Sequence, residues 1–140
     1  VVQADKGSGL LVSDETFDDF EMRAEVWVDG PANSGVFIRC TNPMNVTATN
    51  AYEVNIYDTR PDPAYGTGAI VNVAKVDPMP RAADRWNVLQ VHAQADRFDV
   101  WLNGARTVMG AQDKGHAHGR IALQHGAGVV KFRRVQVRPV

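Results

Sequence analysis

Two short segments hold the residues best suited to do chemistry: Asn33-Ser-Gly-Val-Phe-Ile-Arg39 and, about a dozen residues further on, Tyr52-Glu-Val-Asn-Ile-Tyr-Asp58. Both alternate, and side chains in a strand switch faces at every residue. Val36, Ile38 and Cys40 therefore oppose Phe37 and Arg39, while Val54 and Ile56 oppose Glu53, Asn55 and Tyr57. If the strands share a sheet, Arg39 and Glu53 face each other across a polar surface. There a guanidinium could hold a ligand oxygen in a forked contact while the carboxylate moves a proton. Asn55 and Tyr57 would add hydrogen bonding and stacking. The same residues could equally form a solvated cross-strand ion pair of little energetic weight.

Ordinary glycoside cleavage needs two carboxyl groups flanking the scissile bond. The laminarinase-like glucanases line theirs along one strand as Glu-x-Asp-x-x-Glu. Here Glu53 has Asn55 and Tyr57 as same-face neighbours, and Asp58 falls on the opposite phase. His125, between Gln124 and Gly126, is either a proton carrier near neutrality or a turn residue capping backbone groups. His116 and His118 match no familiar metal spacing, and no metal or cofactor is expected. Trp27 and Trp101 sit on outward phases, where they could stack on a sugar ring or pack beneath a loop. Cys40, the single cysteine, excludes an internal disulfide and reads as a buried, inert thiol in the Val36/Ile38 phase. Ser34 lacks a nucleophile elbow, and Gly7-Ser-Gly9 lacks what a phosphate loop requires.

The elements that must position these residues are almost all of period two. Phe20 to Val28, Trp86 to Gln94 and Phe98 to Leu102 alternate apolar with polar, and Asn103-Gly104 is a tight-turn signal before a returning strand at Arg106 to Met109. Ile121 to Gln124 and Val129 to Val137 form a last pair around Gly126-Ala-Gly128. The spacing predicts roughly eight to ten strands in an all-β, antiparallel two-sheet sandwich or jelly roll, with residues 1–140 as one domain. One helical turn is expected within Pro78 to Arg85, and loops over Thr59 to Tyr65 and Gly110 to Gly119. A net charge of −1 supplies no field for nucleic acid or an anionic membrane, and no apolar run approaches a spanning helix. The expected partner is a small, mostly neutral molecule; the oligomeric state is left open.

Taken in order, Asp19-Phe-Glu-Met-Arg23, Asn33 to Arg39, Tyr52-Glu-Val-Asn55, Thr67-Gly-Ala-Ile70, Arg85-Trp-Asn87, Val100-Trp-Leu-Asn-Gly104, Gly119 to Gly126 and Phe132-Arg133 resemble the 3-keto-disaccharide hydrolase family across about residues 10–138. The resemblance implies a concanavalin A-like lectin/glucanase jelly roll, a carbohydrate ligand, and a bacterial, periplasmic or secreted setting. It also implies glycosides already oxidised to a ketone at carbon 3. That ketone acidifies the hydrogen at carbon 2, so one base can form an enolate that expels the aglycone, and water then adds to the enone. Mapped by motif position, Glu53 is the base, Arg39 the stabiliser and His125 the acid, with Asn33, Asn55, Gln124, Tyr57 and Trp101 contacting sugar. Two departures stand out: the family usually has Gln where this chain has Asn55, and it usually carries more sequence ahead of Leu10, including a Trp-rich opening strand, with longer loops around the site. A non-catalytic carbohydrate-binding module and a structural interaction domain are the rival expectations.

Overall fold

The computed structural model describes residues 1–140. In chain order the strands are β1 (Val2–Ala4), β2 (Gly9–Val12), β3 (Phe20–Val28), β4 (Asn33–Cys40), β5 (Tyr52–Ile56), β6 (Arg85–Gln94), β7 (Arg97–Leu102), β8 (Ala105–Gln112), β9 (Arg120–Ala127) and β10 (Val130–Pro139). Six form one sheet in the order β1-β10-β3-β6-β7-β8, and four form the other in the order β2-β9-β4-β5. Every strand pairing is antiparallel, giving the expected jelly-roll sandwich.

Alternation decides which side of each strand is dry. Phe20, Met22, Ala24, Val26 and Val28 of β3, Leu89, Val91 and Ala93 of β6, and Phe98, Val100 and Leu102 of β7 all point between the sheets. From the other side come Val36, Ile38, Tyr52, Val54 and Ile56. Each large apolar side chain removed from water here contributes about 1.5–3 kcal/mol. Asn103 and Gly104 join β7 to β8 with positive φ angles of 52° and 83°, the twist that a two-residue hairpin requires.

Two loop expectations need correction. No helical turn forms within Pro78 to Arg85; the single 3-10 turn is Pro63–Tyr65, started by the Asp62 carboxylate accepting from Ala64 N–H at 3.1 Å. β8 also runs on to Gln112, because its pairing with β7 extends to Arg97, so the following loop is shorter than expected.

The larger correction concerns the end of β4. Its register against β9 slips between Phe37 and Cys40, and Arg39 adopts a positive φ of 52°. Such a bulge re-aims side chains. Arg39 turns into the sandwich and lies 5.0 Å from the Phe98 ring centroid, while Cys40 turns out to pack with Phe37, Ala51 and Ala122. Burial pushes the Cys40 thiol up to about 11, consistent with an inert residue, but on the opposite face from the one its spacing predicts.

Arg39 is 1% exposed, and all five of its N–H donors are engaged. Nε and Nη2 donate to the Asp18 carbonyl at 3.1 and 2.9 Å, Nη1 to the carbonyls of Ala95 and His116, and Nη2 also to Asp19 Oδ1 at 3.3 Å. Replacing it should strand those carbonyls without donors. Arg39→Ala is expected to lower stability by about 3–5 kcal/mol in a denaturant titration, and Arg39→Lys to recover only part of that loss, because an ammonium cannot reproduce the fork.

Candidate functional site

The outer face of the four-stranded sheet brings several polar residues together. Register places Gln124, Gly35 and Asn55 in one row across β9, β4 and β5, and Ala122, Phe37 and Glu53 in the next. Gly35 is required: a Cβ there would stand 2.5 Å from the Val54 carbonyl oxygen and 3.4 Å from Gln124 Oε1. Asn33 joins the group from the start of β4, its Nδ2 lying 2.8 Å from where a Cβ on Gly126 would be.

The amides on this face are only partly satisfied. Asn55 Nδ2 donates to the Tyr65 carbonyl at 2.9 Å, but Asn55 Oδ1 and Gln124 Oε1 are closed to solvent and have no donor. A buried acceptor left without a partner costs about 1–3 kcal/mol. Each oxygen is an acceptor that a hydroxyl or N–H donor would satisfy.

Glu53 stands beside them, half-buried. Burial raises its pKa above the ordinary carboxylate value, and Arg60 acts in the opposite direction. The cation that influences Glu53 is therefore Arg60, not Arg39. Arg60 and Lys75 lie 6.0 and 5.9 Å from the Tyr65 ring centroid, so two cations gather at an aromatic ring whose residue is tied to β5 through the Asn55 amide. Their types carry no recognisable spacing, and the segment around Arg60 reads as an edge loop; register alone could not place them here.

Asp58 holds that segment in place. Its Oδ1 accepts from Thr67 Oγ1 at 2.6 Å and Ala82 N–H at 3.1 Å, and its Oδ2 from the N–H groups of Ala82 and Ala83 at 3.0 Å. Thr67 Oγ1 in turn accepts from Tyr57 N–H at 2.9 Å, and Thr107 Oγ1 donates to the Gly68 carbonyl at 2.6 Å. With its carboxylate fixed by loop backbone, Asp58 is no second acid for Glu53.

Other sequence-predicted site residues lie elsewhere. His125 alternates inward, pairs with Ser34 across β4, and donates from Nε2 to the Gly128 carbonyl at 2.7 Å. It faces between the sheets and does not share a face with Glu53, so its position is that of the turn-capping residue. Trp101 belongs to the outer face of the six-stranded sheet, where Arg106 lies 4.8 Å from its ring centroid. Tyr57 follows β5, half-buried beside the Asp58-braced segment. His116 and His118 do not converge, since His116 Nε2 meets the Thr49 carbonyl at 2.9 Å and His118 Nδ1 meets Asp18.

Solved structures share this fold. A glycosyl hydrolase candidate from Parabacteroides distasonis aligns over 99% of this chain and 86% of its own, at 20% identity and a TM-score of 0.83. Carbohydrate binding module CBM66 from Bacillus subtilis aligns over 98% and 91%, at 19% identity and 0.73. An ancestral congerin aligns over 99% and 100%, at 12% identity and 0.61. No curated protein matches the chain. The family model of the 3-keto-alpha-glucoside-1,2-lyase-like domain matches residues 1–138, nearly the whole sequence, and the chain belongs to that family.

Proposed function

We propose that the outer face of the four-stranded sheet binds a glycoside oxidised at carbon 3 and cleaves it by elimination followed by hydration. The observation that carries this reading is the pairing of two donorless buried acceptors, Asn55 Oδ1 and Gln124 Oε1, with a lone carboxylate whose proton affinity is raised. Sugar hydroxyls supply the missing donors. Membership of the 3-keto-alpha-glucoside-1,2-lyase-like family supports the substrate class.

The steps balance without a second acid. Glu53 removes the proton from carbon 2, and the C–H electrons enter the enolate of the carbon 3 ketone. Arg60 stabilises that charge from the segment above. The enolate re-forms the ketone, the carbon 1–oxygen bond breaks, and the aglycone leaves with a proton from water. The remaining hydroxide adds to carbon 1 of the enone, and Glu53 returns its proton to carbon 2. His125 is left out of the scheme because it faces the core.

Both acceptors are closed to solvent in the free protein, so the groups that cover them must shift before a ligand hydroxyl can meet them. A carbohydrate-binding module would use the same acceptors without Glu53 chemistry, and the similarity to CBM66 keeps that reading open to the same experiment.

Glu53→Gln is expected to lower kcat on a 3-keto-glucoside by ~10²-fold or more while binding persists. Sugar release by this variant at the wild-type rate would remove Glu53 from the mechanism, and no release by the wild type would leave a binding module. A carboxylate with raised pKa disfavours the folded state once ionised, so Glu53→Gln should also raise Tm at neutral pH, and the gain should fade as pH falls through the Glu53 titration.

The activity limb that rises with pH reports deprotonation of Glu53. Arg60→Gln removes the charge that favours the ionised form, so that limb should move to higher pH; an unmoved profile would separate Arg60 from the site.

A further inference from the structure

The outer face of the six-stranded sheet, on the far side of the sandwich from Glu53, carries a second polar cluster. Three tryptophans project from it, each with a cation on its ring: Arg133 lies 3.8 Å from the Trp86 centroid, Lys131 4.6 Å from Trp27, and Arg106 4.8 Å from Trp101. The carboxylates here are already engaged by arginine. Glu25 takes Arg23, Arg133 and Arg134; Asp99 takes Arg97 and Arg106; Glu21 takes Arg138. Six arginines thus share three carboxylates and Lys131 adds a seventh cation, on a chain whose net charge is −1. Positive charge is segregated onto this face.

A cleft of about 630 Å³ crosses β10, β3, β6 and β7, lined by Arg23, Gln90, His92, Trp101, Gln136 and Arg138 among others. Hydrogen bonds on this face join arginines to carboxylates and leave the side chains of Gln90, His92 and Gln136 uncommitted. The cleft thus offers both neutral groups for hydroxyls and forked cations for anions.

We propose that this face binds an acidic polysaccharide, its uronate carboxylates drawn to Arg23 and Arg138 and its hydroxyls to Gln90 and Gln136. The Arg138–Glu21 pair is exposed and such pairs are weak, while the buried Glu25 keeps Arg133 and Arg134 if the half-exposed Arg23 turns away, so either arginine can transfer to a ligand carboxylate. Nucleic acid fits less well. Base stacking needs open aromatic faces, and each tryptophan here already carries a cation. The proposal does not depend on the carbon 3 chemistry, because the two faces are separated by the core.

Affinity electrophoresis of the intact chain in gels containing polygalacturonate, dextran or single-stranded DNA tests it. Polygalacturonate should retard the protein at low salt, less as salt rises, and dextran should not. A Gln90→Ala/Arg138→Gln variant with unchanged Tm should lose about tenfold in affinity, roughly 1.4 kcal/mol, while Glu53→Gln should bind like wild type. No retardation by polygalacturonate, undiminished retardation of the cleft variant, or equal retardation by DNA or dextran would each overturn the proposal.

Discussion

Arg39 lies between the sheets with every donor engaged, and that arrangement sets the geometry of one end of the molecule. A guanidinium tolerates such a place better than an ammonium, because it is more weakly hydrated and can distribute five bonds over a plane. Burial still disfavours its charge, and Asp19 offsets part of that penalty. Asp19 Oδ1 also accepts from Ala95 N–H at 2.9 Å, so the same carboxylate holds the β6–β7 hairpin, where Ala95 has a positive φ of 52°. Strained backbone of this kind persists where its surroundings over-determine it. Beside it, Tyr52 packs 4.6 Å from Phe98 and donates to Asp113 Oδ1 at 2.6 Å. Burial pushes the Tyr52 phenol up to about 12, which keeps that donor protonated.

The bulge that delivers Arg39 to this cluster also decides what remains on the outer face of β4. With Arg39 turned inward and Cys40 outward, Glu53 faces Phe37 in the register. A charge to balance Glu53 has to come from outside the sheet, and Arg60 provides it. Long irregular segments are costly to order and are commonly functional. This one is fixed by the Asp58 carboxylate, by Asn55 at Tyr65 and by Thr107 at Gly68. The long segment between β5 and β6 is therefore part of the site's architecture.

Much of this was legible in the sequence where a single physical rule governs. Alternation predicted the dry faces of β3, β6 and β7, and Asn103-Gly104 predicted its hairpin, since two residues of positive φ leave little choice. Glu53 and Asn55 were legible together, because alternation within one continuous strand puts them on one face, whereas Asn33 and Gln124 joined them through the family resemblance. Arg39 was not, as a bulge reverses the phase and nothing in Ile-Arg-Cys-Thr announces one. His125 followed its phase, but which phase faces the core depends on which sheet receives β9. Arg60, with Tyr65 and Lys75 around it, belongs to no periodic pattern, and its proximity to Glu53 is a product of tertiary bracing alone.

Asn55 shows how occupancy and order are coupled at this site. Its amide is divided: Nδ2 donates to Tyr65, while Oδ1 is closed off without a donor. Opening the Tyr65 contact would free Nδ2, so a ligand that supplies an acceptor for Nδ2 and a donor for Oδ1 makes two interactions where the free protein has one. A vicinal pair of sugar hydroxyls has that character, each oxygen being donor and acceptor at once. A purely apolar ligand would leave both ends of the amide unmet, at about 1–3 kcal/mol for each buried group. On the proposed reading, the unmet acceptor favours polyhydroxylated ligands before Glu53 takes part, and a glutamine at position 55 would extend its amide one methylene further from the backbone, altering the distance at which Tyr65 can be met.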